Sequence, residues 1–122
     1  MKALLSIKPE FADKIFAGTK RYEFRRAVFK KEGIEEVLVY ASSPVQRVIG
    51  EFRIGKIISG DVETVWRKTS KHSGITREYY LSYFDGRDNA NAIQVESPRR
   101  FARKRKLSDY RISTAPQSFV YV

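Results

Sequence analysis

Lys20, Glu23, Arg25 and Arg26 fall in one short stretch, "GTKRYEFRR", interleaved with Tyr22 and Phe24. Such residues can do two kinds of chemistry. Arginine forks take phosphate oxygens, and a carboxylate held among cations accepts from the exocyclic amine of a base. Alternatively, a lysine that loses its proton acts as a general base, which requires burial or a neighbouring cation. Glu23 argues for the first use, because a carboxylate near Lys20 holds the proton on; the spacing predicts an ion-pair anchor. The plain alternative is a solvated strand face in a basic protein, where exposed pairs contribute only ~0–1 kcal/mol.

Other chemistry is limited by composition. There is no cysteine and a single histidine, His72. That excludes disulfides, thiol nucleophiles and Cys- or His-rich metal centres, and no metal or cofactor is expected. His72 has no recognisable triad partner and reads as a capping or structural residue. "YASSPVQR" places Tyr40, Ser42 and Ser43 at a strand end before Pro44, where hydroxyls either meet a ligand or shape an ordinary turn. Arg87, after Gly86, either meets a ligand or caps a helix end, where a cation is favoured. Trp66 is a candidate for stacking on unpaired bases, worth ~1–3 kcal/mol each. Tyr83 and Phe84 read as core at helical spacing.

Charge points to an anionic partner. Lys and Arg number 24 against 14 Asp and Glu, a net +10 with a pI near 10. Six of those cations, Arg99, Arg100, Arg103, Lys104, Arg105 and Lys106, crowd into "RRFARKRK" without an acidic residue, so the remainder carries only +4. The run reads either as a solvated, partly disordered loop or as a non-specific phosphate clamp. Six contacts to single-stranded phosphates would give log K against log salt a slope of roughly −0.7 × 6, about −4.

The elements that must position these groups follow from periodicity. Residues 3–7 read as a buried strand, and "PEFADKIFAG" as a helix with Pro9 in its first turn and Gly18 at its close. "KRYEFRRA" alternates as a strand, with Tyr22 and Phe24 on one face and Arg21, Glu23 and Arg25 on the other. Strands are expected at 37–42 and 47–58, with Gly50 and Gly55 as bulges of a curved barrel. Asp61 and Thr76 cap two short helices; strand returns at 91–97, ended by Pro98, and again at 116–122. The order implies an α+β fold with a small curled sheet. At 122 residues and 42% hydrophobic content the chain is expected to form a single ordered domain, residues 1–122. The opening apolar run is too short for a signal peptide, so a cytoplasmic protein without a membrane partner is expected.

Gly18, Lys20, Glu23 and Arg25 match the pattern G-x-K-x-x-E-x-R, and here the sequence resembles the ASCH domain family of the PUA-like superfamily. The blocks "LLSIKPEFADKIFAGTKRYEFRR", "VLVYASSPVQRVIGEFRI" and "YFDGRDNANAIQV" extend the resemblance to a subgroup of predicted transcriptional regulators. The resemblance implies a small β-barrel beside a cleft, with an N-terminal helix and a helical insertion, that binds RNA or other nucleic acid. One branch hydrolyses acetylated cytidine with a lysine, a threonine and a glutamate, and another is linked to RNA cleavage. That lysine falls on Lys20, but the threonine falls on Glu23, and Glu51 is the one candidate for the glutamate. The expected function is therefore a nucleic-acid-binding module, RNA before DNA, of regulatory role. Its cleft holds Lys20, Glu23 and Arg25, lined by Arg26, Tyr40, Ser42, Ser43 and Arg87, with Arg99 to Lys106 on phosphates. The alternative is an enzyme, a modified-nucleoside hydrolase or ribonuclease using Lys20 and Glu23; a third is a protein-interaction domain for an acidic partner.

Overall fold

The computed structural model describes residues 1–122. Six strands form one curled half-barrel sheet, with three α-helices packed on it. β1 (Lys2–Ile7) leads into α1 (Pro9–Ala17), then β2 (Tyr22–Arg25), β3 (Glu36–Ala41) and β4 (Arg47–Asp61). α2 (Val62–Thr69) and α3 (Arg77–Tyr83) form the helical insertion, followed by β5 (Asn89–Arg105) and β6 (Phe119–Tyr121). The strand order is β2-β5-β4-β3-β1-β6, antiparallel throughout except for the parallel β1–β3 pair.

Local sequence explains the helix ends. Pro9 occupies the first turn of α1, and Gly18 ends it at φ 84°, its N–H donating to the Lys14 and Ile15 carbonyls. The Asp61 carboxylate accepts from the Thr64 N–H at 2.9 Å and the Thr76 hydroxyl from the Tyr79 N–H at 3.1 Å, capping α2 and α3. No helix is long and apolar enough to cross a membrane.

Strict alternation sorts the strands into layers. Ala3, Leu5 and Ile7 with Val37, Val39 and Ala41 face α1, while Leu4, Leu38 and Tyr40 face Phe101 and Val48 on the other side. Phe24, Ala90 and Ala92 pack with Val65, Tyr80 and Phe84 of the insertion. The long β4–β5 ribbon shifts register beside both Gly50 and Gly55, and each bulge adds twist to the curl. At Gly50 a side chain has no room, since a Cβ would run into the Phe16 ring and the Arg99 carbonyl.

Three expectations change. The strand expected to stop at Pro98 runs on to Arg105, because Ser97 takes a left-handed φ of 49° and Pro98 lies at the register shift between Glu51 and Arg53. A proline N–H is not needed at a bulge. The basic run is consequently an ordered strand rather than a loop, with Arg99 and Arg100 opposite Glu51 and Gly50. β4 likewise continues past 58 to Asp61.

Candidate functional site

β2 is an edge strand, and its alternation turns Glu23 and Arg25 away from the Tyr22 and Phe24 face that packs on the insertion. Arg25 donates to Glu23 Oε2 at 3.1 Å, to the Ser6 carbonyl at 3.2 Å and to the Ser118 carbonyl at 2.8 Å. It therefore joins the β2 edge to β1 and to the segment entering β6, clasping the half-barrel with a side chain where a closed barrel would have a backbone ladder. A further contact reaches Ser118 Oγ at 3.2 Å. With both Nη atoms engaged inside the protein, Arg25 organises the site more than it offers itself to a ligand.

Lys20 enters from the α1–β2 junction with only 2% exposure. Its Nζ donates to the Ser73 carbonyl at 3.0 Å and lies 4.8 Å from the Phe24 ring centroid and 5.5 Å from that of Phe11. Gly74, at φ 69°, lies against it so closely that any Cβ would meet the lysine stem. Glu23 Oε1 is 3.9 Å from Nζ, a looser pair than the one Glu23 makes with Arg25. Burial pulls the ammonium down to about 8, opposed by Glu23 and assisted by Lys14. Glu23 holds the proton on as expected from sequence, but desolvation outweighs the pair, and the amine stays mostly protonated at pH 7.

Above these groups opens a cavity of about 540 Å³. It gathers Lys20, Glu23, Arg25, Arg26 and Arg87 from the sequence-predicted set. Phe11, Phe24, Tyr79 and Tyr83 supply aromatic walls, with Lys8, Ser6 and Ser118 among the polar groups. Arg26 lies 4.5 Å over the Tyr83 ring and donates to the Tyr83 carbonyl at 2.9 Å. Glu23 is the sole carboxylate of the lining. Tyr83, read from sequence as core, is at the wall because α3 carries two stripes: Tyr80 and Phe84 go inward, Tyr79 and Tyr83 toward the cavity. Lys8, Tyr79 and Ser118 went unrecognised; the i, i+4 spacing of Tyr79 and Tyr83 was a usable signal, whereas nothing local marks Ser118.

Other predicted residues lie elsewhere. Tyr40 is 4% exposed, on the sheet face packed against Phe101, because alternation along β3 turns it from the cavity. Ser42 and Ser43 form the turn after β3, with the Ser42 N–H donating to the Ile7 carbonyl at 3.0 Å, and neither lines the cavity. None of Arg99, Arg100, Arg103, Lys104, Arg105 or Lys106 does so either. Arg99 pairs with Glu51 at 2.6 Å, Arg100 with Asp13 at 3.2 Å, and Arg105 covers the Phe101 ring at 3.7 Å. Glu51 is thus engaged by Arg99 and Lys2, remote from Lys20 in contact terms. Trp66 is half-buried against the Tyr80 ring at 4.7 Å and does not line the cavity.

The ASCH domain model matches residues 5–99. Crystal structures of the ASCH protein of Zymomonas mobilis and two of its point mutants superpose with a TM-score of 0.90 at 30% identity, covering 99% of this chain and 87–89% of those chains. An ASCH domain-containing ribonuclease of Zymomonas mobilis is 35% identical over 92 residues, 75% of this chain and 62% of the relative. The chain is also 29% identical over 119 residues to large ribosomal subunit protein uL22 of Ureaplasma parvum, but spans only 38% of its length.

Proposed function

Because the chain belongs to the ASCH domain family, we propose that it is an RNA-binding module that takes one unpaired nucleotide into the cavity over Lys20, Glu23 and Arg25. The observation that carries the reading is a buried carboxylate with one oxygen left for a ligand. Glu23 Oε2 is taken by Arg25, while Oε1 stands 3.9 Å from Lys20 at the floor of an aromatic-walled cavity. An exocyclic amine donates to such an oxygen, a base lies against the aromatic wall of Phe11, Tyr79 and Tyr83, and Lys8, Arg26 and Arg87 at the cavity meet phosphate. Unpaired bases suit the site because a paired base cannot enter it. In this reading residues 1–122 act as one domain. The basic strand from Arg99 to Lys106 adds sequence-independent attraction from outside the cavity. A regulatory role rests on the sequence blocks that resemble predicted regulators.

A second reading, cleavage of the bound RNA, is favoured by the Lys20 amine at about 8 and by the relative named as a ribonuclease. At pH 7 a group with that pKa is roughly one-tenth neutral, enough to take a proton from a ribose hydroxyl while neighbouring cations hold the phosphate.

Fluorescence anisotropy with single-stranded RNA, single-stranded DNA and duplex DNA tests the first reading. Glu23→Gln keeps the shape but weakens acceptance, and is expected to cost roughly tenfold in affinity for a preferred base. Equal binding of all four homopolymers by wild type and Glu23→Gln would remove the cavity from the account. Product analysis of the same RNA separates the second reading: cleavage lost in Lys20→Met with binding retained supports it, and no cleavage by wild type between pH 7 and 9 ends it.

A further inference from the structure

Lys20 borders two cavities. The second measures about 410 Å³ and is bounded by Ile15 and Gly18 at the end of α1, Arg21 and Tyr22, His72, and Gln94, Val95 and Pro98 of β5. Its backbone is firmly pinned. The Arg21 N–H donates to the His72 carbonyl at 2.9 Å, and the Val95 N–H donates to the Arg21 carbonyl at 2.9 Å. The Arg21 and His72 side chains, by contrast, are exposed. No carboxylate lines this cavity, while Lys20 and Arg21 bring positive charge. An apolar patch of Val95 and Pro98 beside a Gln94 amide suits a planar heterocycle, and an arginine fork with an imidazole suits a phosphate.

We propose that this second cavity seats the nucleotide adjacent to the one held over Glu23, so that the ligand is a single strand of at least two residues rather than a free nucleoside. The proposal rests on the reading of the first cavity as a nucleotide site. Lys20, 2% exposed and common to both linings, is the wall between them, and the strand crosses over it with one nucleotide on either side. The far side of the second cavity leads to the basic strand, since Pro98 is followed by Arg99 and Arg100. Arg100 lies 4.9 Å over Phe16 and pairs with Asp13, both on the helix that also supplies Ile15. The order is therefore base cavity, neighbouring nucleotide, then phosphates along β5.

The test is competition against a fluorescent hexaribonucleotide by mono-, di- and tetranucleotides of cytidylate and adenylate. The readout is the ratio of dinucleotide to mononucleotide affinity. Wild type is expected to gain about tenfold or more from the second residue, the scale of one stacked base. Arg21→Ala and Arg21→Gln, both at an exposed side chain, are each expected to bring that ratio down to about twofold, and His72→Ala partway. Lys56→Ala, an exposed cation outside both cavities, removes the same charge and serves as the comparison. An unchanged ratio in both Arg21 variants overturns the second subsite while the first cavity stands, and so does an equal fall in Lys56→Ala. Failure of the hexamer to bind wild type removes the RNA reading itself, a result distinct from either.

Discussion

Lys20 and Arg25 keep only 2% and 7% of their surface, whereas Arg103, Lys104 and Lys106 stand in solvent on β5 and just after it. The two regions hold the same kinds of residue under opposite conditions. In the buried set each cation has a fixed partner, because an unpaired buried charge costs several kcal/mol. Its electrostatics are specific and little screened. On the basic strand, Arg99 and Arg100 have carboxylate partners and Arg105 an aromatic one, but those contacts are exposed and salt weakens them. The difference separates two tasks that net charge alone merges. The interior cluster can discriminate among ligands, and the surface strand can only attract them.

The largest effect that could break this contrast concerns Arg25. Arg25→Ala leaves Glu23 buried without its 3.1 Å partner and opens the clasp to Ser6 and Ser118. Urea unfolding is expected to show a loss of ~3–5 kcal/mol, against no more than about 0.5 kcal/mol for Arg103→Ala. Similar losses in the two variants would mean that burial does not distinguish the regions.

Next in size is the pH dependence contributed by Lys20. Its folded value of about 8 lies below the ordinary 10.5, so below pH 8 both folded and unfolded chains carry the charge and the burial penalty is fully felt. Between those values the unfolded chain holds a proton that the folded chain has released, and stability rises with pH. Tyr80, pushed up to about 12 by burial, works in the other direction above pH 10. Across pH 8–10 wild type is therefore expected to gain about 2 kcal/mol relative to Lys20→Met. A flat difference would return Lys20 to the role of a permanent cation.

Why sequence predicted one region better than the other is visible in the residues. The Pro9 start and Gly18 stop of α1, and the alternation of Tyr22 and Phe24 against Glu23 and Arg25, are local patterns that set where the cluster points. Desolvation is not local. Spacing puts Glu23 near Lys20, but the Phe11 ring and the Ser73–Gly74 turn that bury the amine arrive from other elements. Ser118 reaches Arg25 across 93 residues, with no signal in its own neighbourhood. Tyr40 misled because strand-end position says nothing about which face a cavity occupies. Pro98 misled because a bulge removes the need for the N–H that proline lacks.

The smallest effect sharpens the surface side of the contrast. Arg99 and Arg100 already have Glu51 and Asp13, and Arg105 donates to the Tyr110 hydroxyl at 2.8 Å. Arg103, Lys104 and Lys106 remain for phosphates, so this run displaces three counterions rather than six from a single strand. The run's share of the slope of log K against log salt is then roughly −0.7 × 3, about −2, instead of the −4 implied by charge counting, and the cations at the cavities add to it. Arg103→Ala with Lys104→Ala should flatten it by about 1.4 while leaving the order of base preference intact, since phosphate contacts carry no sequence information. A further flattening in Arg99→Ala with Arg100→Ala would show that the two surface ion pairs open on binding, as contacts worth at most ~1 kcal/mol allow. A change in base preference would show instead that the strand reaches into the cavity, and the separation of the two regions would fail.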